Sequence, residues 1–196
     1  MAAKNCNDLD PNEGNTLLHL AAGTRSLEEV KLMANKSNVN SQNYRGRTPL
    51  HICVLHNRRP NITKCLLHHG ADLSFADIWG DTPLHLASKE NSLENVKLLV
   101  GKCTVNAQNK QGLTALIHSV SRDERSEVTR YLLDHGADTR VADNDGDAPL
   151  HWAVQNNSME NCRLLVPKCD VNSVNYDRKA ALHVSVQSDI LCNTKT

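Results

Sequence analysis

Aromatic residues are scarce, with two Trp, three Tyr and one Phe among 196 residues. A core built with so few of them must be assembled from closely packed small aliphatic side chains, and Leu, Ala and Val are frequent. Surplus charge is absent as well, because 22 Lys+Arg stand against 22 Asp+Glu. Binding to nucleic acid through phosphate neutralisation needs clustered excess Lys and Arg, so that class is disfavoured. No apolar run approaches the ~20 residues of a membrane span, and Met1-Ala2-Ala3-Lys4-Asn5 has no apolar signal segment, so no membrane insertion is expected. The seven cysteines are an odd number with no C-x-x-C pair, which suits a reducing cytoplasmic or nuclear setting. Cys53, Cys65 and Cys162 read as small apolar packing residues. Strings of the H-E-x-x-H, G-x-S-x-G and G-x-x-x-x-G-K-[ST] kinds are also missing. Zincin, hydrolase and P-loop chemistry thereby lose their required geometry, and neither enzymatic activity, a cofactor nor a metal is expected.

What the chain does contain is repetition. Thr16-Leu17-Leu18-His19, Thr48-Pro49-Leu50-His51, Thr82-Pro83-Leu84-His85, Thr114-Ala115-Leu116-Ile117, Ala148-Pro149-Leu150-His151 and Ala180-Ala181-Leu182-His183 begin 32, 34, 32, 34 and 32 residues apart. A fixed period in this range marks a solenoid, in which each unit buries its apolar face only against its neighbours. Thr82 is a good N-cap and Pro83 suits the first helical position, so a helix starts there. A second helix is expected from Leu93 with Ser92 as its N-cap, because Leu93, Val96 and Leu99 recur at helical spacing. The link from Val105 to Gly112 carries Asn and Gly, which tolerate a tight turn.

The spacing alternates, so the true period is 66 residues, or two units. Asn91-Ser92-Leu93-Glu94-Asn95-Val96-Lys97-Leu98 is matched by Asn157-Ser158-Met159-Glu160-Asn161-Cys162-Arg163-Leu164. The alternate units carry one extra residue between helices, near 57–62 and 122–127, and end in His69-Gly70-Ala71-Asp72 and His135-Gly136-Ala137-Asp138. The sixth unit has Arg178 where earlier units have Gly14, Gly46, Gly80, Gly112 and Gly146, and it stops before a second helix. A stack without a polar cap exposes apolar surface, so the chain is expected to be a piece of a longer protein.

In these tetrapeptides and His-Gly-Ala-Asp strings the chain resembles the ankyrin-repeat family. The resemblance implies an all-α repeat solenoid of helix-turn-helix units with projecting β-hairpins. It spans a repeat domain at 10–190, preceded by a tail or first hairpin arm at 1–9 and followed by a tail at 191–196. It also gives the five histidines at 19, 51, 85, 151 and 183 a structural role, each tying one hairpin to the next. His68 and His69 stand beside a helix end, where imidazole can meet unpaired carbonyls. Asp143, Asp145 and Asp147 resemble half of a calcium loop, but no Glu follows at the twelfth position and a hairpin tip accounts for them.

The family likeness further implies a concave groove of hairpin tips and first helices that binds a protein partner. The matching positions are Tyr44, Arg45 and Arg47; Ile78, Trp79 and Asp81; Lys110, Gln111 and Leu113; Asn144, Asp145 and Asp147; Tyr176, with Asp177 and Lys179; and Trp152 beside His151. Charge is polarised along the tips, with Arg45, Arg47, Arg58 and Arg59 towards one end and the three aspartates towards the other. The expectation is a non-catalytic adaptor, scaffold or inhibitor, monomeric by itself. The alternative is the ankyrin segment of a larger enzyme or ion channel.

Overall fold

The computed structural model describes residues 10, 12–24, 26–56, 60–121 and 126–181. They divide between two compact units, Met1–Thr104 and Val105–Thr196. In the first unit, α1 (Leu17–Thr24), α3 (Pro49–His56) and α5 (Pro83–Lys89) form an inner row, while α2 (Leu27–Ala34), α4 (Pro60–His68) and α6 (Leu93–Leu99) form an outer one. The second unit repeats the plan with α7 (Ala115–Val120) and α9 (Pro149–Gln155) inside, α8 (Glu127–Asp134) and α10 (Met159–Leu165) outside. Leu50, Ile62, Leu66, Leu84, Ala87 and Val96 are buried in the first, and Leu116, Ile117, Val128, Leu132 and Leu165 in the second. None of the six aromatic side chains is buried. The core is aliphatic, as the composition demands.

Helices begin where the tetrapeptides put them, and the reason involves histidine more than threonine. Thr82 is extended and Pro83 opens α5. The Thr48 N–H donates to His51 Nδ1 at 3.1 Å, and Thr16 with His19, Thr82 with His85 and Ala148 with His151 do the same. This is a capping box with imidazole in the place of Glu. In the fourth unit Ile117 replaces the histidine, and there the Thr114 hydroxyl caps the helix by accepting the Ile117 N–H at 3.2 Å. The other ring nitrogen reaches the following tip: His19 Nε2 meets the Arg47 carbonyl at 2.8 Å, His51 that of Asp81 at 3.1 Å, and His151 that of Lys179 at 3.1 Å. Because Nδ1 accepts the backbone N–H, it is Nε2 that donates to the carbonyl of the following tip. His183 lies outside the described residues, as do the tails, Arg58, Arg59 and the extra residues of the alternate units.

Two local expectations need correction and one gains detail. Ser92 stands at the N-cap of α6 as expected, its hydroxyl accepting from the Asn95 side chain at 3.1 Å instead of from a helix amide. Ser158 and Asn161 repeat the arrangement at 2.8 Å. Asn95 is fully buried and its Oδ1 accepts from the Thr63 hydroxyl at 2.8 Å, which in turn lies 3.3 Å from Cys53 Sγ. A polar thread of Ser92, Asn95, Thr63 and Cys53 thus crosses the aliphatic core, whereas in the Ser158–Asn161 copy the buried Asn161 Oδ1 has no hydrogen-bond partner among the described residues. Cys53 is buried, but Cys65 and Cys162 are only half-buried. Lastly, no strand forms among the described residues, apart from one isolated bridge between Val174 and Ala180. Each tip is closed by two backbone bonds, such as Asn43 N–H to the Arg47 carbonyl and Gly46 N–H to the Asn43 carbonyl, and these turn bonds do not extend into a ladder.

Candidate functional site

Each tip is braced from within by an Asn or Asp side chain. Asn43 Oδ1 accepts the N–H groups of Arg45 and Arg47 at 3.0 and 2.9 Å, and Asp77 Oδ1 accepts those of Trp79 and Asp81, both at 3.0 Å. Consecutive tips are then joined by backbone: the Tyr44 N–H donates to the Glu13 carbonyl and the Ile78 N–H to the Arg45 carbonyl, both at 3.0 Å. These bonds fix the outward side chains without using them. Tyr44 is 62% exposed, Ile78 46% and Trp79 43%.

Not every residue of the expected groove is available in the same way. Arg47 turns inward, its side chain only 17% exposed, with Nε 3.2 Å from the buried Asp77 carboxylate and its guanidinium 5.0 Å from the Trp79 ring centre. It props Trp79 from behind. Asp81 is buried. Arg45 is exposed and only loosely paired with Glu13, at 3.9 Å, a contact of small energetic weight.

The second unit builds its tips by the same rule. Asn109 Oδ1 braces Gln111 and Leu113, Asp143 Oδ1 braces Asp145 and Asp147, and the Asn144 N–H donates to the Gln111 carbonyl at 3.0 Å. Lys110, Gln111, Asn144 and Asp145 are exposed, Leu113 and Asp147 half-buried, and Tyr176 is 79% exposed. Trp152 instead donates its indole N–H to Asp143 Oδ2 at 2.9 Å, and Asp147 accepts from Asn175 at 2.8 Å. Asp143 therefore has both carboxylate oxygens engaged within the protein, and the three aspartates do not converge as a calcium loop would.

The pairing between tips obeys donor–acceptor logic that sequence reasoning misses. Arg47 can only donate, and the facing residue is Asp77; the Asp147 carboxylate can only accept, and Asn175 faces it with its amide. Leu113 can do neither, and Asp143 turns to Trp152. The signal is present, since Asn43, Asp77, Asn109, Asp143 and Asn175 each stand five residues before a repeat tetrapeptide. Two histidines at helix ends are structural too. His69 Nδ1 donates to the Cys65 carbonyl, and His135 Nδ1 to that of Tyr131, both at 2.8 Å, satisfying helix-end acceptors. Burial pushes the Cys53 thiol up to about 11, which keeps it protonated and unreactive.

Comparison with known proteins fixes the family. A family model described as ankyrin repeats (3 copies) matches residues 1–77, 59–143 and 136–193. The chain belongs to the ankyrin-repeat family. Human B-cell lymphoma 3 protein is 32% identical to it across 87% of this chain and 40% of the relative. The probable 26S proteasome regulatory subunit p28 of Saccharomyces cerevisiae is 31% identical across 72% of this chain and 64% of its own length. NF-kappa-B inhibitor alpha of Rattus norvegicus is 34% identical across 66% and 44% respectively. This ankyrin chain spans about 40% of the B-cell lymphoma 3 protein. Two of the three relatives carry the names of regulators of other proteins. Among the described residues no helix is long and apolar enough to cross a membrane.

Proposed function

We propose that this chain is a non-catalytic interaction module, an adaptor, scaffold or inhibitor that works in the cytoplasm or nucleus, is monomeric by itself and binds a partner protein with its tips. The principal contact is on the first unit, through Tyr44, Arg45, Ile78 and Trp79. Lys110, Gln111, Leu113, Asn144, Asp145 and Tyr176 offer a further surface on the second. One observation supports this above the rest: aromatic side chains that the core excludes are held exposed on successive tips by bonds that do not involve the rings. Rigid, exposed aromatic and Arg side chains are the groups a partner desolvates with most gain.

The partner isolated by affinity capture is the ligand for the test. Trp79→Ala and Arg45→Ala are each expected to weaken its binding about thirtyfold, the effect of losing ~2 kcal/mol. Lys97→Ala, on the outer helix α6, should leave binding intact. Unchanged affinity in both tip variants, with the helical circular dichroism retained, would assign the contact elsewhere.

A further inference from the structure

The outer helices of the first unit carry a feature that tip binding does not use. Between α2 and α4 runs an open groove of about 640 Å³, lined by Lys31, Lys64, His68 and His69, with half-buried Leu27 and Cys65 as its apolar part. Among the described residues no carboxylate lines it. Glu28, on the same helix as Lys31, takes one of the three ammonium donors at 2.8 Å, an exposed pair of little strength. His69 is fixed on the wall, with Nδ1 against the Cys65 carbonyl and Nε2 3.2 Å from Asn35 Oδ1. The His68 ring stands edge-on to it at 5.6 Å between centres.

The two-unit period supplies a control within the chain. Sixty-six residues beyond Asn61, Lys64 and His68 stand Glu127, Arg130 and Asp134. The second copy of the template thus has carboxylates where the first has an amide and an imidazole. The absence of a carboxylate at these two positions is particular to the first copy, and general repeat architecture does not demand it.

We propose that this groove docks an acidic peptide segment of a partner protein. Its Asp or Glu carboxylates lie against Lys31, Lys64 and His68, and an aliphatic side chain covers Leu27 and Cys65. The charge complementarity is local, because the whole chain carries a formal net charge of zero. Nucleic acid and anionic membranes are drawn by broad basic fields, whereas a few carboxylates on a short segment match a patch of this size. Since the cations are exposed, the attraction is screened by salt.

Fluorescence anisotropy of the full chain with a labelled peptide of repeated Glu, Leu and Ala tests the proposal. Saturable binding is expected, weakening as salt rises and at least about tenfold weaker in the Lys31→Glu/Lys64→Glu double variant. His68→Asp, which places there the residue of the second copy, should shift affinity in the same direction. Trp79→Ala should bind the peptide as the parent does, which separates this groove from the tips. Equal affinity for a peptide with Lys in place of Glu, or undiminished binding by the double variant with its circular dichroism intact, would overturn the proposal. Tighter binding of phosphatidylserine vesicles or single-stranded RNA through the same lysines would overturn the choice of a peptide.

Discussion

Gly112→Ala is expected to destabilise the second unit by about 2–5 kcal/mol, far more than its single methyl group suggests. Gly112 sits at φ +78°, in the left-handed region, where an L side chain costs roughly 1–2 kcal/mol. Space adds the larger part. A Cβ there would lie 2.6 Å from both the backbone N and Oδ1 of Asn144 and 2.8 Å from the carbonyl carbon of Asp143. The same Asn144 N–H makes the bond to the Gln111 carbonyl that joins the two tips. Relief of the overlap therefore has to pull that joint apart. Gly136 is the internal control: its φ is +89°, yet nothing stands within 4 Å of a Cβ built on it. Gly136→Ala should cost only the conformational share, roughly 1–2 kcal/mol. Urea midpoints of the two variants compare the effects directly, and equal shifts would mean that the close approach of the tips is not maintained in solution.

Acid should weaken the protein well above the pH at which carboxylates are protonated. His51 is fully buried, and that burial is the main cause lowering its pKa from 6.5 to about 4; the bond to Asp81 and the Asp77 and Asp81 charges oppose the shift, while Arg47 adds to it. Below 6.5 the unfolded chain binds a proton that the folded chain refuses. Stability is accordingly whole above 6.5 and falls as pH drops through the window from 6.5 to about 4. The difference between those two values corresponds to about 3 kcal/mol from this one residue. His19, also lowered mainly by burial, acts in the same direction. Asp72 is held below the usual carboxylate range by hydrogen bonds from Ser74, and Asp138 by those from Arg140, so they lose their pairing only at still lower pH. Urea unfolding at a series of pH values, for the parent and for His51→Gln, isolates the imidazole. The variant should be less stable at neutral pH but should show a shallower decline between 6.5 and 4. Parallel curves would contradict a buried neutral His51.

Tetrapeptide spacing alone makes the helix starts at Pro49, Pro83, Ala115 and Pro149 legible, because N-cap and first-turn chemistry is local. The bonding role of the recurrent histidines, by contrast, comes from the family resemblance, and His19, His51 and His151 take it up. Partners 28 to 34 residues away are harder to see. Periodicity says which face a residue occupies, but not that Arg47 finds Asp77, or Asn95 Thr63. For that reason Arg47 and Trp152 enter the expected groove on equal terms with Tyr44 and Trp79, whereas each makes a polar bond within its own unit. Exposure follows the place within the tip: Tyr44, Ile78, Lys110, Asn144 and Tyr176, four residues before each tetrapeptide, are exposed, whereas Arg47, Leu113 and Asp147, one residue before it, are half-buried.

Hydrogen–deuterium exchange of the protein with and without its captured partner tests tip binding most directly. Protection is expected in the first unit at the peptides carrying Tyr44–Arg45 and Ile78–Trp79. Protection confined to the outer helices or the chain ends, with those two tips unchanged, would contradict it.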